Sequence, residues 1–278
     1  MSAQFLDILT TSATLYAVAL GLLVIFGVMK IINFAHGAFL TIGGYSALLV
    51  TKLDLDPWLA LPMALLVGLL LGAAVEFLIM RPLYARPLDA ILATWGLGIV
   101  IGQLITLEFG RDVQFVQNPL RGVVHVLGEE YSLYRLLLIP GAALIALFLG
   151  LILNRTRLGL MTRAVIMNER LARALGINAG MVKLVTFSLG AALASLAGAL
   201  ITPLSSVDPQ MGVPWLVNAF MLVMVAGASL LSLAVATLIL GGAQVLISAY
   251  GSPILGGLTI VVLAAIILRL RPQGFARD

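Results

Sequence analysis

One pattern repeats almost end to end: apolar stretches of about 20 residues, the length a helix needs to cross the hydrocarbon core of a bilayer. They fall at roughly 8–29, 34–51, 58–80, 89–107, 133–153, 183–203, 214–232, 233–249 and 253–269. In lipid every backbone N–H and C=O must be satisfied internally, so runs of this kind fold as helices packed side by side. Residues that are 62% hydrophobic and 10% charged leave too little charge to cover a water-facing exterior. The expected fold is all-α, a polytopic transmembrane helix bundle of eight or nine spans forming one membrane-embedded domain over 1–278. Gly227, the Gly241-Gly242 pair and Gly251-Ser252-Pro253 interrupt 214–269, where one run reads as a half-span. The first run has no basic residue before Asp7 and no small-residue cleavage site before Met29, so it is expected to be a span rather than a removable signal.

Basic residues set the expected orientation, because cytoplasmic loops carry the excess of Lys and Arg. With the N-terminus outside, Lys30, Arg81, Arg86, the 155–183 cluster and the tail (Arg269, Arg271, Arg277) fall inside, twelve of the sixteen basic residues. The outer segments then hold Lys52, Arg111, Arg121 and Arg135 together with eight of the twelve acids, among them Asp54, Asp56, Glu129, Glu130 and Asp208. An outside N-terminus and a cytoplasmic C-terminus require an odd number of crossings, which favours nine. The outer loop 108–132 alternates apolar and polar residues, as a hairpin or lid would.

Several chemistries are excluded or left without residues. With no cysteine there is no disulfide or thiolate metal site, and His36 and His125 are too few for a histidine cluster. No G-x-x-x-x-G-K-[ST] loop is present, so the chain does not bind ATP in that way. No nucleophile–base set and no carboxylate pair within one span suggests an enzyme. No cofactor or metal is expected, and the net charge of +4 follows from loop placement rather than from nucleic-acid binding.

One compact basic stretch interrupts the apolar pattern, the loop 154–182, which contains "GLMTRAVIMNERLARALGINAG" (159–180). Thr162 is a plausible N-cap and Gly176 a plausible C′ glycine of one helix of about 13 residues. Ala164, Met167, Leu171, Ala174 and Leu175 would line one face; Arg163, Glu169, Arg170 and Arg173 the rest, with Glu169 and Arg173 an i,i+4 pair. Such a helix suits lipid headgroups, a positive-inside loop, or docking of its apolar face in a partner's groove.

Intramembrane polar groups are costly and mark pathways or interhelical hydrogen bonds. Glu76 is the acid well inside a run, set against Arg81 or Arg86 as an interface partner. Thr94, Gln103, Asn218 and Gln244 are further pathway candidates. Asn33 and His36, in "NFAHG", mark either a reverse turn or a broken helix facing a cavity. Small residues four apart, Gly68 and Gly72, Gly98 and Gly102, and Gly190, Ala194 and Gly198, predict close helix contacts.

The segment "RAVIMNERLARALGINAGMVKLVTFSLGAALASLAGAL" closely resembles the cytoplasmic loop and following span of permeases from branched-chain amino-acid ABC importers. "INFAHGAFLTIGGY" (32–45), "EFLIMRPLYARPLDAILATWGLGIVIGQ" (76–103) and "VLAAIILRLRPQGF" (262–275) extend the resemblance over nearly the whole chain. The wording "RPLYARPLDAILATWGL" looks closer to the urea and short-chain-amide branch, and "VMVAGASLL" (223–231) departs from glycine-richer relatives. The resemblance implies an inner-membrane subunit working beside a second permease, identical or related, two cytoplasmic ATPases that bind the ATP, and an extracytoplasmic solute-binding protein. It implies that Thr162–Gly176 is the ATPase-coupling element, and that the solute is a branched-chain amino acid, or alternatively urea or an amide. An ion-coupled carrier would want an ionisable group nearer the midplane than Glu76; a passive channel would ignore ATP.

The orientation is testable in a chain that has no native cysteine. A membrane-impermeant maleimide should label Lys52→Cys in intact cells, and Arg163→Cys only after permeabilisation.

Overall fold

The computed structural model describes residues 2–126 and 129–275. Arg277 of the basic tail, the tip of the outer loop at 127–128 and the Glu129 side chain lie outside the described residues. The helices are α1 (Ser2–Met29), α2 (His36–Lys52), α3 (Ala60–Val75), α4 (Arg81–Leu83), α5 (Pro87–Phe109), α6 (Leu133–Arg155), α7 (Arg157–Met167), α8 (Glu169–Ala174), α9 (Ala179–Ile201), α10 (Gly212–Ala226), α11 (Leu230–Tyr250) and α12 (Pro253–Leu270). A π-helical turn, Glu76–Met80, joins α3 to α4. In the 108–132 segment, β1 (Val123–Val126) pairs antiparallel with β2 (Glu129–Ser132), with Val124 opposite Tyr131.

Seven helices are long and apolar enough to cross a membrane: those containing α1, α3, α5, α6, α9, α11 and α12. The other two apolar runs form shorter helices, α2 of 17 residues and α10 of 15. At helical rise these measure about 26 Å and about 22 Å, less than a typical hydrocarbon core. The expected boundary inside 214–249 shifts: the break falls at Gly227, whose φ of 71° suits glycine, and Ser229 caps α11. The short piece of that region is therefore α10. The tail folds back on this break, with Phe275 N donating to Val225 O at 2.7 Å.

The helix α9 is the axis of the bundle. It and α1 are the most enclosed of the long helices, while α5, α6 and α12 turn most of their surface outward. Helices in lipid associate through packing and interhelical hydrogen bonds, since the surroundings are as apolar as the side chains. Small residues permit that packing here. A Cβ on Gly190 would meet Gly21 O and Ile25 of α1; one on Gly198 would overlap Leu40 O of α2; Gly68 and Gly72 of α3 sit against Ser195, Ala191 and Ser188. Ser195 Oγ donates to Phe39 O at 2.9 Å, tying α9 to α2 at the point of closest approach. The predicted contacts at 68/72 and 190/194/198 are therefore helix seams, whereas Gly98 and Gly102 meet no other helix closely: a Cβ would lie 3.8 Å from Phe34 O at Gly98 and 3.1 Å from the Gln210 side chain at Gly102.

One end of α1 is clamped to the hairpin. Tyr131 Oη donates to Asp7 Oδ1 at 2.7 Å, and Arg135 pairs with the same carboxylate at 3.1 Å.

These seams leave no room for a methyl group. Gly43→Ala, whose Cβ would overlap Ser195 O, and Gly198→Ala should each lower stability by about 1–3 kcal/mol. Gly96→Ala, with open space around it, should be neutral in the same detergent melts.

Candidate functional site

Two regions gather the chemistry: an open cleft between α2, α5 and the start of α10, and a polar cluster at the end that carries α7 and α8.

The cavity begins with the break between α1 and α2. Lys30 takes a left-handed φ of 54°, and the chain then runs irregularly to Ala35. Asn33, Ala35 and His36 are fully buried there. Phe34 N donates to Thr94 Oγ1 at 3.2 Å. Thr94 lies seven residues into α5, about 10 Å along its axis, so the break sits at membrane depth. Irregular backbone survives at that depth only when protein buries it or it lines a cavity. Here Asn33 Oδ1 accepts from Ala35 N at 3.0 Å, and His36 Nε2 lies 3.0 Å from Val18 O. Among the described residues Asn33 Nδ2 and His36 Nδ1 have no hydrogen-bond partner. The "NFAHG" stretch is non-helical up to a turn at Phe34–Ala35, in which His36 N donates to Asn33 O at 3.4 Å as α2 begins.

The start of α2 meets the start of α10: Gly212 N donates to Thr41 Oγ1 at 3.2 Å, and Gly37 and Gly212 pack backbone to backbone. Beside this meeting point lies a cavity of about 430 Å³. Phe34, Ala38 and Thr41 form one wall, Trp95, Gly98, Ile99 and Gly102 of α5 a second, and Gln210, Val213, Leu216 and Val217 a third. The lining side chains are mostly apolar, with Thr41, Gln210 and the indole N–H of Trp95 as the polar ones. Gln210 Nε2 stands 3.1 Å from where a Cβ on Gly102 would lie.

The structure thus brings Asn33, His36 and Thr94 together, and disperses the other pathway candidates. Gln103 is exposed on α5 and Asn218 half-buried on α10. Among the described residues, Gln244 Oε1 is buried on α11 without a hydrogen-bond partner. Phe34, Thr41, Trp95 and Gln210 were missed, because their three segments are far apart in sequence and only packing assembles them.

At the other region, 157–174 is two helices rather than one. Asn168 breaks the run, with φ −159° and ψ 100°, and its side chain accepts from Leu171 N at 3.0 Å. Asparagine favours such a cap over a helix interior because its side chain competes for backbone N–H groups. Thr162 is therefore not an N-cap; it is buried inside α7, and Thr156 caps that helix instead. Gly176 does end α8, at φ 84°, with Gly176 N bonded to Arg173 O and Ile177 N to Ala172 O, both 3.0 Å, the pairing of a Schellman motif.

The faces also differ from expectation. Val165 and Ala172 pack with Ala179 and Val182 of α9. Met167 (87% exposed), Leu171 (58%) and Leu175 (73%) point away from the bundle beside Arg163, Arg170 and Arg173, leaving an apolar ridge with a basic border. Ala174 is exposed on the same helix.

Behind that ridge, Glu169 binds Arg173 Nη2 at 2.6 Å and Lys183 Nζ at 2.9 Å. The Lys183 hydrogen bond holds the Glu169 carboxyl below its ordinary range. Lys183 Nζ also lies 4.3 Å from the Tyr84 ring centroid. Tyr84 Oη donates to Glu76 Oε1 at 2.6 Å. Glu76, buried in the π-turn, is thus held by Tyr84 and not by arginine: Arg81 lies over the Phe77 ring and Arg86 pairs with Asp89. Among the described residues no group of three or more metal-ligating side chains converges.

Residues 4–269 match the model of the family described as the permease component of the branched-chain amino acid transport system. The chain belongs to that family. It is a transport permease component and a multi-pass protein of the inner membrane. It is 28% identical to the probable branched-chain amino acid transport permease LivH of Methanocaldococcus jannaschii, over 78% of this chain and 71% of that protein. BraD of Pseudomonas aeruginosa, named a high-affinity branched-chain amino acid permease, is 28% identical over 71% of this chain and 69% of its own. The ribose import permease RbsC of Haemophilus influenzae is also 28% identical, over 72% of this chain and 61% of its own. In fold, the chain resembles PsaBC from Streptococcus pneumoniae, with a TM-score of 0.53 at 16% identity, covering 96% of this chain and 91% of that one.

Because folding lowers the Glu169 pKa, its ion pairs contribute above its ordinary value of 4.5 and are lost as pH falls through the folded value. Amide protection factors across 169–174 should therefore fall on acidification below about pH 4.5, and Glu169→Gln should remove that dependence.

Proposed function

We propose that this permease is the membrane-spanning subunit of an ABC importer that carries branched-chain amino acids into the cell. The observation that carries the reading is the ridge on α7 and α8. Three large apolar side chains, Met167, Leu171 and Leu175, stand exposed among arginines on an element too short and too charged to span. An amphipathic face of this kind fits a groove on a protein partner. The partner is a cytoplasmic ATPase, since the chain has no phosphate loop of its own and energy has to arrive by contact. Two such ATPases and a second permease subunit, identical or related, complete the membrane assembly, and a solute-binding protein delivers solute to the hairpin end. With the N-terminus outside, α7 and α8 lie in the cytoplasm.

ATP binding and hydrolysis on the partner press on α7 and α8, and the spans rock between outward-open and inward-open states. The solute crosses beside the meeting point of α2 and α10. Support for the solute comes from the names of the LivH and BraD relatives and from the cavity, whose walls of Phe34, Trp95, Ile99, Leu216 and Val217 suit a branched aliphatic side chain better than a sugar or urea.

Reconstitution with the ATPases and the binding protein tests this. Arg170→Glu and Leu171→Glu should each reduce ATP-dependent leucine uptake at least tenfold while membrane insertion is unchanged. Gly102→Leu, which fills the cavity, should reduce uptake without releasing the ATPases. Uptake driven by an ion gradient without any ATPase would overturn the reading, and ATP-dependent uptake of urea in place of leucine would correct the solute.

A further inference from the structure

The helix α8 holds the bundle through a narrow connection. Among the described residues, one side-chain polar link joins it to a span: Glu169 to Lys183, on the second turn of α9. Beside the link lies an open cavity of about 630 Å³, walled by Arg81 and Tyr84 on one side and by Glu169, Arg173 and Asn178 on the other. The cavity gives α8 room to shift relative to α3 and α4. Lys183, only 8% exposed, bridges its inner wall.

A chain of contacts continues inward from there. The Lys183 ammonium faces the Tyr84 ring at 4.3 Å, and the Tyr84 hydroxyl donates to Glu76 at 2.6 Å. Glu76, 1% exposed, is the first residue of the π-helical turn Glu76–Met80. A π-turn holds one residue more than α-helical geometry needs. Such turns often sit at functional sites, and shifting the extra residue along the helix rotates what precedes it. What precedes it is α3, whose Gly68 and Gly72 seat directly on α9. If Glu169 moves away, a buried cation keeps only an aromatic face as company, which is costly. Lys183 then follows Glu169, and Tyr84 is drawn off Glu76 or carries it along.

We propose that Lys183 and Tyr84 are positioning residues through which a displacement of α8 reaches the π-turn at Glu76 and changes how α3 sits on α9. The proposal rests on the reading of α8 as the surface that receives the ATPase. Neither side chain need touch solute or nucleotide. Their role is to make the position of Glu169 and the geometry of the π-turn depend on each other, a coupling that acts equally in both directions.

The test uses the full complex in proteoliposomes: this chain, its second permease, the ATPases and the binding protein. Tyr84→Phe keeps the ring and removes the hydroxyl, Lys183→Met removes the cation, and Lys183→Arg restores it. Leu78→Cys, at an exposed position within the π-turn and in a chain with no other cysteine, carries an environment-sensitive fluorophore. The expected result is that Tyr84→Phe and Lys183→Met retain the ATPases but transport at least tenfold less solute per ATP. They also lose the ATP-dependent fluorescence change at residue 78. Lys183→Arg recovers most of both. If Tyr84→Phe is not recovered folded, Lys183→Met against Lys183→Arg gives the same decision. Wild-type solute-per-ATP ratios and an intact signal in the variants overturn the relay while leaving the docking surface standing. Retention of the ATPases by Arg170→Glu and Leu171→Glu, with normal uptake, overturns the docking surface and the relay with it.

Discussion

The bundle depends on how closely other backbones approach α9. In water, large side chains would drive the helices together; in hydrocarbon they gain little by leaving lipid for protein. What remains is dispersion between close-packed surfaces and the few hydrogen bonds that close approach allows. Gly190, Ala194 and Gly198 strip one length of α9 to its backbone, and α1 and α2 settle against it. Gly68 and Gly72 do the same from the side of α3. The Ser195 hydroxyl reaches Phe39 O only because Gly43, four residues on, lets α2 lie against α9. These four helices form a tight inner group, while α5, α6, α11 and α12 keep most of their large residues for lipid or for other subunits.

The inner group makes room for irregularity. Residues 31–35 leave helical geometry against the bundle, where buried backbone polar groups call for protein partners. Thr94 accepts from Phe34 N, Asn33 accepts from Ala35 N, and Val18 O stands opposite His36. Shortening α2 and α10 at their meeting point leaves the space that becomes the cavity. The same break that would weaken an ordinary span thus borders the cleft, with Thr41, Trp95 and Gln210 as polar groups among otherwise apolar side chains.

The span pattern was legible because 20-residue apolar runs permit so few alternatives. The seams at 68/72 and 190/194/198 were legible because helical periodicity puts residues four apart on one face. Gly176 was legible as a helix end because its left-handed φ suits glycine. The break at Asn168 was available in the sequence, since asparagine in mid-helix competes for backbone N–H groups, but the amphipathic pattern around it read as continuous. Glu76 was paired on paper with the nearest arginines. Tyr84 instead reaches it past the π-turn from eight residues away, about 12 Å of helical rise and well beyond the i,i+3 and i,i+4 pairings that sequence spacing suggests. The contact of Lys183 with Glu169 depends on the reversal at Gly176, and the cavity on three distant segments, so neither has a local signature.

The polar chain from Arg173 to Glu76 is a poor way to gain stability. Burying an ammonium beside a carboxylate at the edge of hydrocarbon returns little beyond its desolvation cost, and an apolar pair of similar volume would hold the same surfaces at least as well. What charge and hydrogen bonding supply, and apolar contact does not, is direction. A leucine in place of Lys183 would slide across its neighbours with little change in energy, whereas the ammonium has one carboxylate and one aromatic face to satisfy. The hydroxyl of Tyr84 likewise has one acceptor within reach. A chain of contacts that each tolerate a single geometry transmits displacement; a chain that tolerates many absorbs it. The large apolar surfaces of this protein hold helices together, and in the proposed relay its few buried charges make α3 answer to α8.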